Sequence, residues 1–351
     1  MVKAIGKAGP ALYILFLAGA SLFTVLLVRQ GAADVVRAVA AARWWLAVIT
    51  AFHLIPLFLD SLEWWLLFPK QDRLRLWTVY WVRWMGESIA NLVPAAQVGG
   101  DIVRARLAAL FGAPVSVAIA TVVVDMTVSV FIQSFFTLLG LSLLILATGR
   151  TNLIVPALAG APLAIGAVAG FYLVQRLGMF RLFGVIISRF VDDPRWQSLA
   201  GKGGEIDQTL RKVYSRGRSV AACCFITMLS FVIGSIEVWI GLYALGIPAG
   251  FDKAVILESV GQGVQSALCF IPGALGVREG GYLVVGGLLG IPGEVAFALA
   301  LIRRVREFAL GIPGLIAWQW VEGGHFWRGH EPRRRQAEAK SSEQTKFGSN
   351  P

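Results

Sequence analysis

The sequence predicts an all-α polytopic membrane protein of about six full spans plus two re-entrant helical hairpins, arranged as an inverted-topology internal repeat. Three observations carry this. Mean hydropathy is +0.68, and 15% of residues are charged against 56% hydrophobic, where a soluble domain carries about 25% charged residues. Apolar runs of the roughly 20 residues needed to cross a bilayer core recur along the chain. The chain also repeats itself at one constant offset: Pro94 matches Pro272, Asp101 matches Glu279, Gly112 matches Gly290 and Pro114 matches Pro292, each pair 178 residues apart, and the same offset sets Asp125 opposite Arg303. Repeated helix breaks of this kind are how many transporters build a site at the bilayer midplane.

Taken in order, Ala11–Val28 is the first span. Lys3 and Lys7 give it the basic flank of a signal peptide, yet it ends in Leu27-Val28-Arg29-Gln30 without a small-x-small cleavage site, so it is read as a span. Trp45–Phe68 is the second. Leu76–Phe111, broken at Pro94, must return to the side it left and is the first hairpin. Pro114–Leu146 is long for one span and must tilt, or break near Gly140. Asn152–Gln175 leads into residues 176–218, where nine basic residues face four acidic ones, an excess that marks the cytoplasmic side. Within that loop Met179–Phe190 is amphipathic and is expected to lie along the membrane surface. Ser219–Gly246 is the next span, Asp252–Gly290, broken at Pro272-Gly273, the second hairpin, and Pro292–Trp320 the last span. One membrane domain thus covers residues 1–322, with repeat cores at about 76–146 and 254–320; residues 323–351 form a basic tail expected to be disordered. Both termini fall on the cytoplasmic side, and the hairpins enter from opposite faces. Arg29, Arg37 and Arg43 fall on the outer side, against the charge rule.

An ionised side chain at the bilayer centre costs roughly 2.5–3.5 kcal/mol on insertion scales, so such residues face a cavity and pair. Nearly all of them here lie in the two repeated blocks. Arg83 and Glu87, four apart, can form an intrahelical pair. Asp101 is expected to open a short helix after Gly99-Gly100 as an N-cap or first-turn acid. Arg104 lies within reach of it and Arg106 points elsewhere; together the two arginines make an electropositive inner mouth, and the N–H groups at Gly99 and Gly100 suit a phosphate. In the second block Arg278 and Glu279 follow the break, and the last span carries Arg303, Arg304, Arg306 and Glu307. Three arginines in four residues cannot share one helix face. At least one is expected to meet Asp125 or Glu279, leaving others for a ligand, since the planar guanidinium binds phosphate in bidentate fashion. Glu237 and Glu258 also interrupt apolar stretches. The structural counterpart is a charge network that merely holds two broken helices.

The net charge of +11 lies mostly between spans, where it reads as an orientation signal and attraction to anionic lipid, with no nucleic-acid partner. Cys223, Cys224 and Cys269 lie in apolar stretches at no ligand spacing, so neither a disulfide framework nor a metal site is expected. Trp44, Trp45, Trp64, Trp65, Trp77, Trp81 and Trp84 read as an interface belt, and His53 as a packed histidine. There is no H-E-x-x-H, G-x-S-x-G or Walker A sequence, and Gly99-Gly100 and Gly280-Gly281 follow helix breaks rather than strands. No enzyme chemistry and no cofactor are expected.

Asn91-Leu-Val-Pro-Ala-Ala-Gln-Val-Gly-Gly-Asp-Ile-Val-Arg-Ala-Arg106, the later Asp125, and Ile271-Pro-Gly-Ala-Leu-Gly-Val-Arg-Glu279 followed by Arg303-Arg304 resemble the flippase-like transmembrane region of lysylphosphatidylglycerol synthases over about residues 10–320. The wording Pro-x-Ala-Gln-Val-Gly-Gly is most similar to the stand-alone branch associated with hopanoid biosynthesis in bacteria. The resemblance implies an inner-membrane protein that moves a lipid between leaflets; aminoacyl transfer is not expected, because the chain stops before a synthase domain. The expected site lies where the hairpins meet. Arg104, Arg106, Arg278, Arg303 and Arg304, with Gly99 and Gly100, would hold an anionic headgroup. Asp101, Asp125 and Glu279, in a network with Arg83, Glu87, Arg306 and Glu307, would neutralise the arginines when the site is empty and take protons during the cycle. The cargo would be an anionic phospholipid, a polyprenyl phosphate or a hopanoid. A different reading is a non-transporting scaffold that recruits lipid-biosynthetic enzymes through its basic loop and tail.

Overall fold

The computed structural model describes residues 42–92, 97–149, 169–175, 177–179, 203–267 and 276–347, with Ala40 and Gly166; side chains are described to residue 322, those of 97 and 98 excepted. Among them all regular structure is helical. Helices α1 (Trp45–Phe52) and α2 (Leu54–Leu67) form one apolar rod interrupted at His53. Pro56 explains the interruption, because it has no N–H to bond the Phe52 carbonyl four residues back. This rod, α5 (Val115–Thr148) and α7 (Gly217–Ala244) are the three described helices long and apolar enough to cross a bilayer. The expected first span, Ala11–Val28, lies outside the described residues, as does most of Asn152–Gln175. α5 runs unbroken through Gly140 for 34 residues, so tilt or protrusion, not a kink, must absorb its length.

The repeat is visible in the elements. α3 (Leu76–Leu92) and α4 (Gln97–Leu110) correspond to α8 (Phe251–Ala267) and α9 (Val277–Leu288). Pro94, Pro272 and Gly273 lie outside the described residues, between the described parts of α3 and α4 and of α8 and α9. α4 and α9 end at matching positions, Leu110 and Leu288, and α5 and α10 (Gly293–Phe347) begin at matching positions, Val115 and Gly293. Between them Gly112 and Gly290 take positive φ, +106° and +75°, a conformation that costs other L-residues about 1–2 kcal/mol. Pro114 and Pro292 then sit just ahead of the next helix, where proline's fixed φ and missing donor are tolerated.

Each half grips the other. α3 packs on α4 and α8 on α9, while α3 also lies along α10 and α8 along α5. Small residues permit the approach: a Cβ on Gly314 would lie 2.0 Å from Ser88 Oγ on α3, and one on Gly140 only 1.7 Å from Ser259 Oγ on α8. α2 completes the bundle against α7. In the 176–218 loop the amphipathic α6 (Gly203–Ser215) buries Ile206, Leu210 and Val213 and packs on α5; all of Met179–Phe190 beyond Met179 lies outside the described residues. The backbone of α10 continues to Phe347, so residues 323–347, expected to be disordered, prolong the last helix. The run Arg333-Arg-Arg-Gln-Ala-Glu-Ala-Lys340 consists of strong helix formers.

Candidate functional site

Two buried charge clusters form where the halves meet. In the first, Asp125 on α5 accepts from two arginines through one oxygen: Arg83 Nη1 of α3 at 2.8 Å and Arg104 Nη2 of α4 at 2.6 Å. Arg104 also donates to Asp101 one helical turn back at 2.8 Å, and its guanidinium lies 4.4 Å above the ring of the fully buried Trp64. Arg83 faces Asp60 Oδ2 at 3.5 Å and Glu63 Oε1 at 3.9 Å, both from α2. Two α7 hydroxyls close the cluster. Thr227 meets Glu63, and Ser230 lies 2.5 Å from Asp60.

In the second cluster Arg303, Arg306 and Glu307 share one face of α10, at helical spacing. Arg303 makes a forked pair with Glu258 of α8 and reaches Tyr282 Oη of α9 at 2.6 Å. Arg306 pairs with Glu237 of α7. Arg278 pairs with Glu307 and donates to Gln265 Oε1 at 2.9 Å. Arg304 turns the other way, onto Glu279 at 2.9 Å. His53, at the interruption of the rod, bridges the clusters: Nε2 lies 3.1 Å from Glu87, and Nδ1 3.1 Å from Glu237 and 2.8 Å from Arg306 Nη1.

These side chains line two adjoining cavities. One, of about 340 Å³, lies among Glu237, Glu258, Arg278, Arg303 and Arg306. The other, of about 570 Å³, lies among Gly100, Asp101, Arg104 and Asp125. Asp60, Arg83, Glu87 and Ser266 line both and form the wall between them. Nε of Arg104, Arg303 and Arg306 and Oδ1 of Asp125 are buried without a hydrogen-bond partner in the protein. Such unmet groups are costly in a dry interior, so the chamber offers vacant donors and an acceptor beside its cavities.

The arrangement corrects several expectations. Arg106 is 60% exposed and bound bidentately to Glu322 at 2.6 and 3.0 Å, away from the chamber; two positions after Arg104 it necessarily takes another helix face. Asp101 does not open a helix. α4 begins at Gln97, which places Asp101 beyond the first turn with Arg104 as its partner. Gly100 serves helix contact more than phosphate approach, since a Cβ there would lie 2.6 Å from the Gly86 carbonyl on α3; it also lines the larger cavity, whereas Gly99 does not. Arg83 pairs with Asp125 and Asp60, and Glu87 with His53, in place of each other. The α10 arginines do not meet Asp125; Arg304 meets Glu279, the alternative partner. Trp64 is core, its Nε1 3.3 Å from Thr121 Oγ1, whereas Trp44, Trp77 and Trp81 are exposed. Most consequentially, the chamber is not electropositive. Each of its six arginines has a carboxylate partner, and Asp60, Glu63 and the bridging role of His53 were not among the expected site residues. The missed signal is spacing: His53, Asp60 and Glu63 fall on one stripe of an apolar span. Cys223 is buried and free, and no metal-holding cluster occurs among the described residues.

Bilayer-length helices enclosing a polar, charge-paired interior define a polytopic membrane protein with a chamber between two pseudo-equivalent halves. The chain belongs to the family described as lysylphosphatidylglycerol synthase TM region, whose model matches residues 11–314. It is similar to a UPF0104 membrane protein of Methanothermobacter thermautotrophicus, 25% identical over 303 residues that cover 82% of this chain and 86% of that protein. No solved structure matches.

Proposed function

We propose that the protein is a transporter, not an enzyme, that carries a phosphate-bearing lipid headgroup between membrane leaflets through the paired cavities while the acyl or prenyl chains stay in the bilayer. The observation that carries this reading is the set of unpartnered Nε donors on Arg104, Arg303 and Arg306, buried in the walls of two adjoining cavities. A phosphate oxygen fits such donors because arginine stays charged and presents a planar fork. Every chamber arginine already holds a carboxylate, so binding proceeds by exchange: the phosphate displaces an acid, which must then be neutralised. The halves would act as inverted hairpins that alternate in opening to the two sides, in an inner membrane with both termini cytoplasmic.

The test is the transbilayer rate of a headgroup-labelled phospholipid in vesicles containing the full chain. The wild type should equilibrate label between leaflets well above protein-free vesicles, and Arg104→Lys, Arg278→Lys and Arg303→Lys together should remove most of that rate while the protein still melts cooperatively. A wild-type rate equal to the protein-free rate would refute transport, and an unaffected triple variant would refute the site. Mass spectrometry of lipids retained after gentle extraction identifies the cargo, a hopanoid without phosphate being the result against the headgroup chemistry.

A further inference from the structure

We propose that Glu63 holds a proton at neutral pH, making the Asp60–Glu63 pair the proton-binding site of the chamber. The first cluster contains four carboxylates, Asp60, Glu63, Asp101 and Asp125, against two guanidiniums, Arg83 and Arg104. Arg104 balances Asp101 and Arg83 balances Asp125, at 2.8 Å each, which leaves Asp60 and Glu63 in excess. The two differ in how they can be relieved. Asp60 has a side chain 25% exposed and lines both cavities. Glu63 is 1% exposed, and among the described residues its only cation is Arg83 at 3.9 Å. Burial disfavours an ionised carboxylate with so distant a partner. The other groups facing the cluster do not supply the charge. Glu87 on α3 adds a further acid that is bound to His53, and α7 presents Thr227, Ser230 and the Cys223 thiol.

The hydrogen count at Thr227 is compatible with a proton on the same residue. Thr227 Oγ1 lies within hydrogen-bonding distance of two oxygens, the Cys223 carbonyl at 2.8 Å and Glu63 Oε2. A hydroxyl has one hydrogen and a carbonyl only accepts. Thr227 can therefore donate to one of the two at a time, and both contacts are hydrogen bonds together only when Glu63 carries a proton of its own to donate. An independent sign that the cluster takes a ligand is Asp125 Oδ1, which is buried without a partner on a residue 1% exposed that lines the larger cavity. It is an open acceptor beside the larger cavity.

The site has a mechanical consequence that rests on the transporter reading. Once deprotonated, Glu63 competes with Asp125 for Arg83, and Arg83 is part of the wall shared by both cavities. Proton release on one side would thereby redraw the partition, linking proton movement to the opening of one cavity or the other.

Infrared difference spectroscopy of the full chain in lipid tests the proton directly. A protonated-carboxyl C=O band should be present at neutral pH, vanish in Glu63→Gln, and move to higher frequency in Thr227→Val, which removes the hydroxyl but not the acid. The absence of such a band, or one unchanged in both variants, overturns the proposal. In vesicles, an imposed pH gradient should alter the wild-type lipid rate and leave that of Glu63→Gln unaltered; equal responses overturn the coupling. If no lipid moves in any variant, the band still decides the proton site, so the two readings fail separately.

Discussion

Deleting the guanidinium at position 83 should hurt more than neutralising its nearest acid, because the first cluster is short of cations and not of anions. Arg83 is the cation common to Asp125 at 2.8 Å, Asp60 at 3.5 Å and Glu63 at 3.9 Å. Arg83→Met keeps most of the volume but, among the described residues, leaves Asp60 and Glu63 with no cation and Asp125 with Arg104 alone. Removing one partner of a buried pair costs about 3–5 kcal/mol; the partial exposure of Asp60 puts the expectation near the lower end, about 3 kcal/mol. Asp125→Asn keeps the shape and one accepting oxygen. Arg104 retains Asp101 at 2.8 Å and Arg83 turns toward Asp60 and Glu63, so the loss is that of charge-assisted hydrogen bonding, at most about 1.5–3 kcal/mol. Taking the middle of that range, the arginine variant should therefore unfold more readily by about 0.8 kcal/mol, a factor of about four in the equilibrium constant. Reversible denaturation in mixed micelles, followed by tryptophan fluorescence, measures both. Adding Asp60→Asn to Arg83→Met should recover part of the loss, since it removes the ionised acid left without its guanidinium. Equal cost, or a greater cost for Asp125→Asn, would refute the argument that negative charge is in excess.

Two further outcomes follow from the packing and the surface. Gly140→Ala sets a Cβ 1.7 Å from Ser259 Oγ, so α5 and α8 must part; melts should show about 1–3 kcal/mol of destabilisation, and an unchanged melt would mean that the helices are not in contact there. Arg106→Ala removes a solvent-exposed pair with Glu322, so stability should fall by at most about 1 kcal/mol and the lipid rate in vesicles should not change; a lost rate would return Arg106 to the site.

The repeat was legible because its punctuation is backbone chemistry. Gly112 and Gly290 take the positive φ that their matching positions require, and Pro114 and Pro292 start the following helices. The charged blocks were legible because an ionised residue in an apolar run has few explanations. What averaging hid was the acid within a span otherwise read as apolar: Asp60 and Glu63 disappear into Trp45–Phe68 when the run is weighed as a whole, though their register with His53 puts all three on one stripe. Pairing was the least legible link. Arg83 has Glu87 one turn away on its own helix, yet tertiary packing brings Asp125 from α5 and Asp60 from α2 closer, and a local rule cannot anticipate partners 42 and 23 positions distant along the chain. The same holds for Gly100, whose meaning depends on the Gly86 carbonyl across the helix pair.

The repeat also explains why the two clusters differ in charge while matching in shape. Arg104 corresponds in sequence to Tyr282, and Asp125 to Arg303. Each pair is in contact at 2.6 Å, so one structural contact persists with an arginine–aspartate pair in the first half and a tyrosine–arginine pair in the second. The exchange moves a cation from the short hairpin helix to the long helix and deletes an acid. It makes the second half balanced, with Glu237, Glu258, Glu279 and Glu307 against Arg278, Arg303, Arg304 and Arg306, while the first half keeps its surplus of carboxylates. A two-fold device whose halves carried identical charge would have no electrostatic reason to prefer one opening over the other. Here the buried arginines are shared by both halves, but the surplus carboxylates, Asp60 and Glu63, are concentrated in one. On the proposed reading, Asp60 and Arg83 take part in the proton site and also line both cavities, so a change in protonation there would bear on both at once.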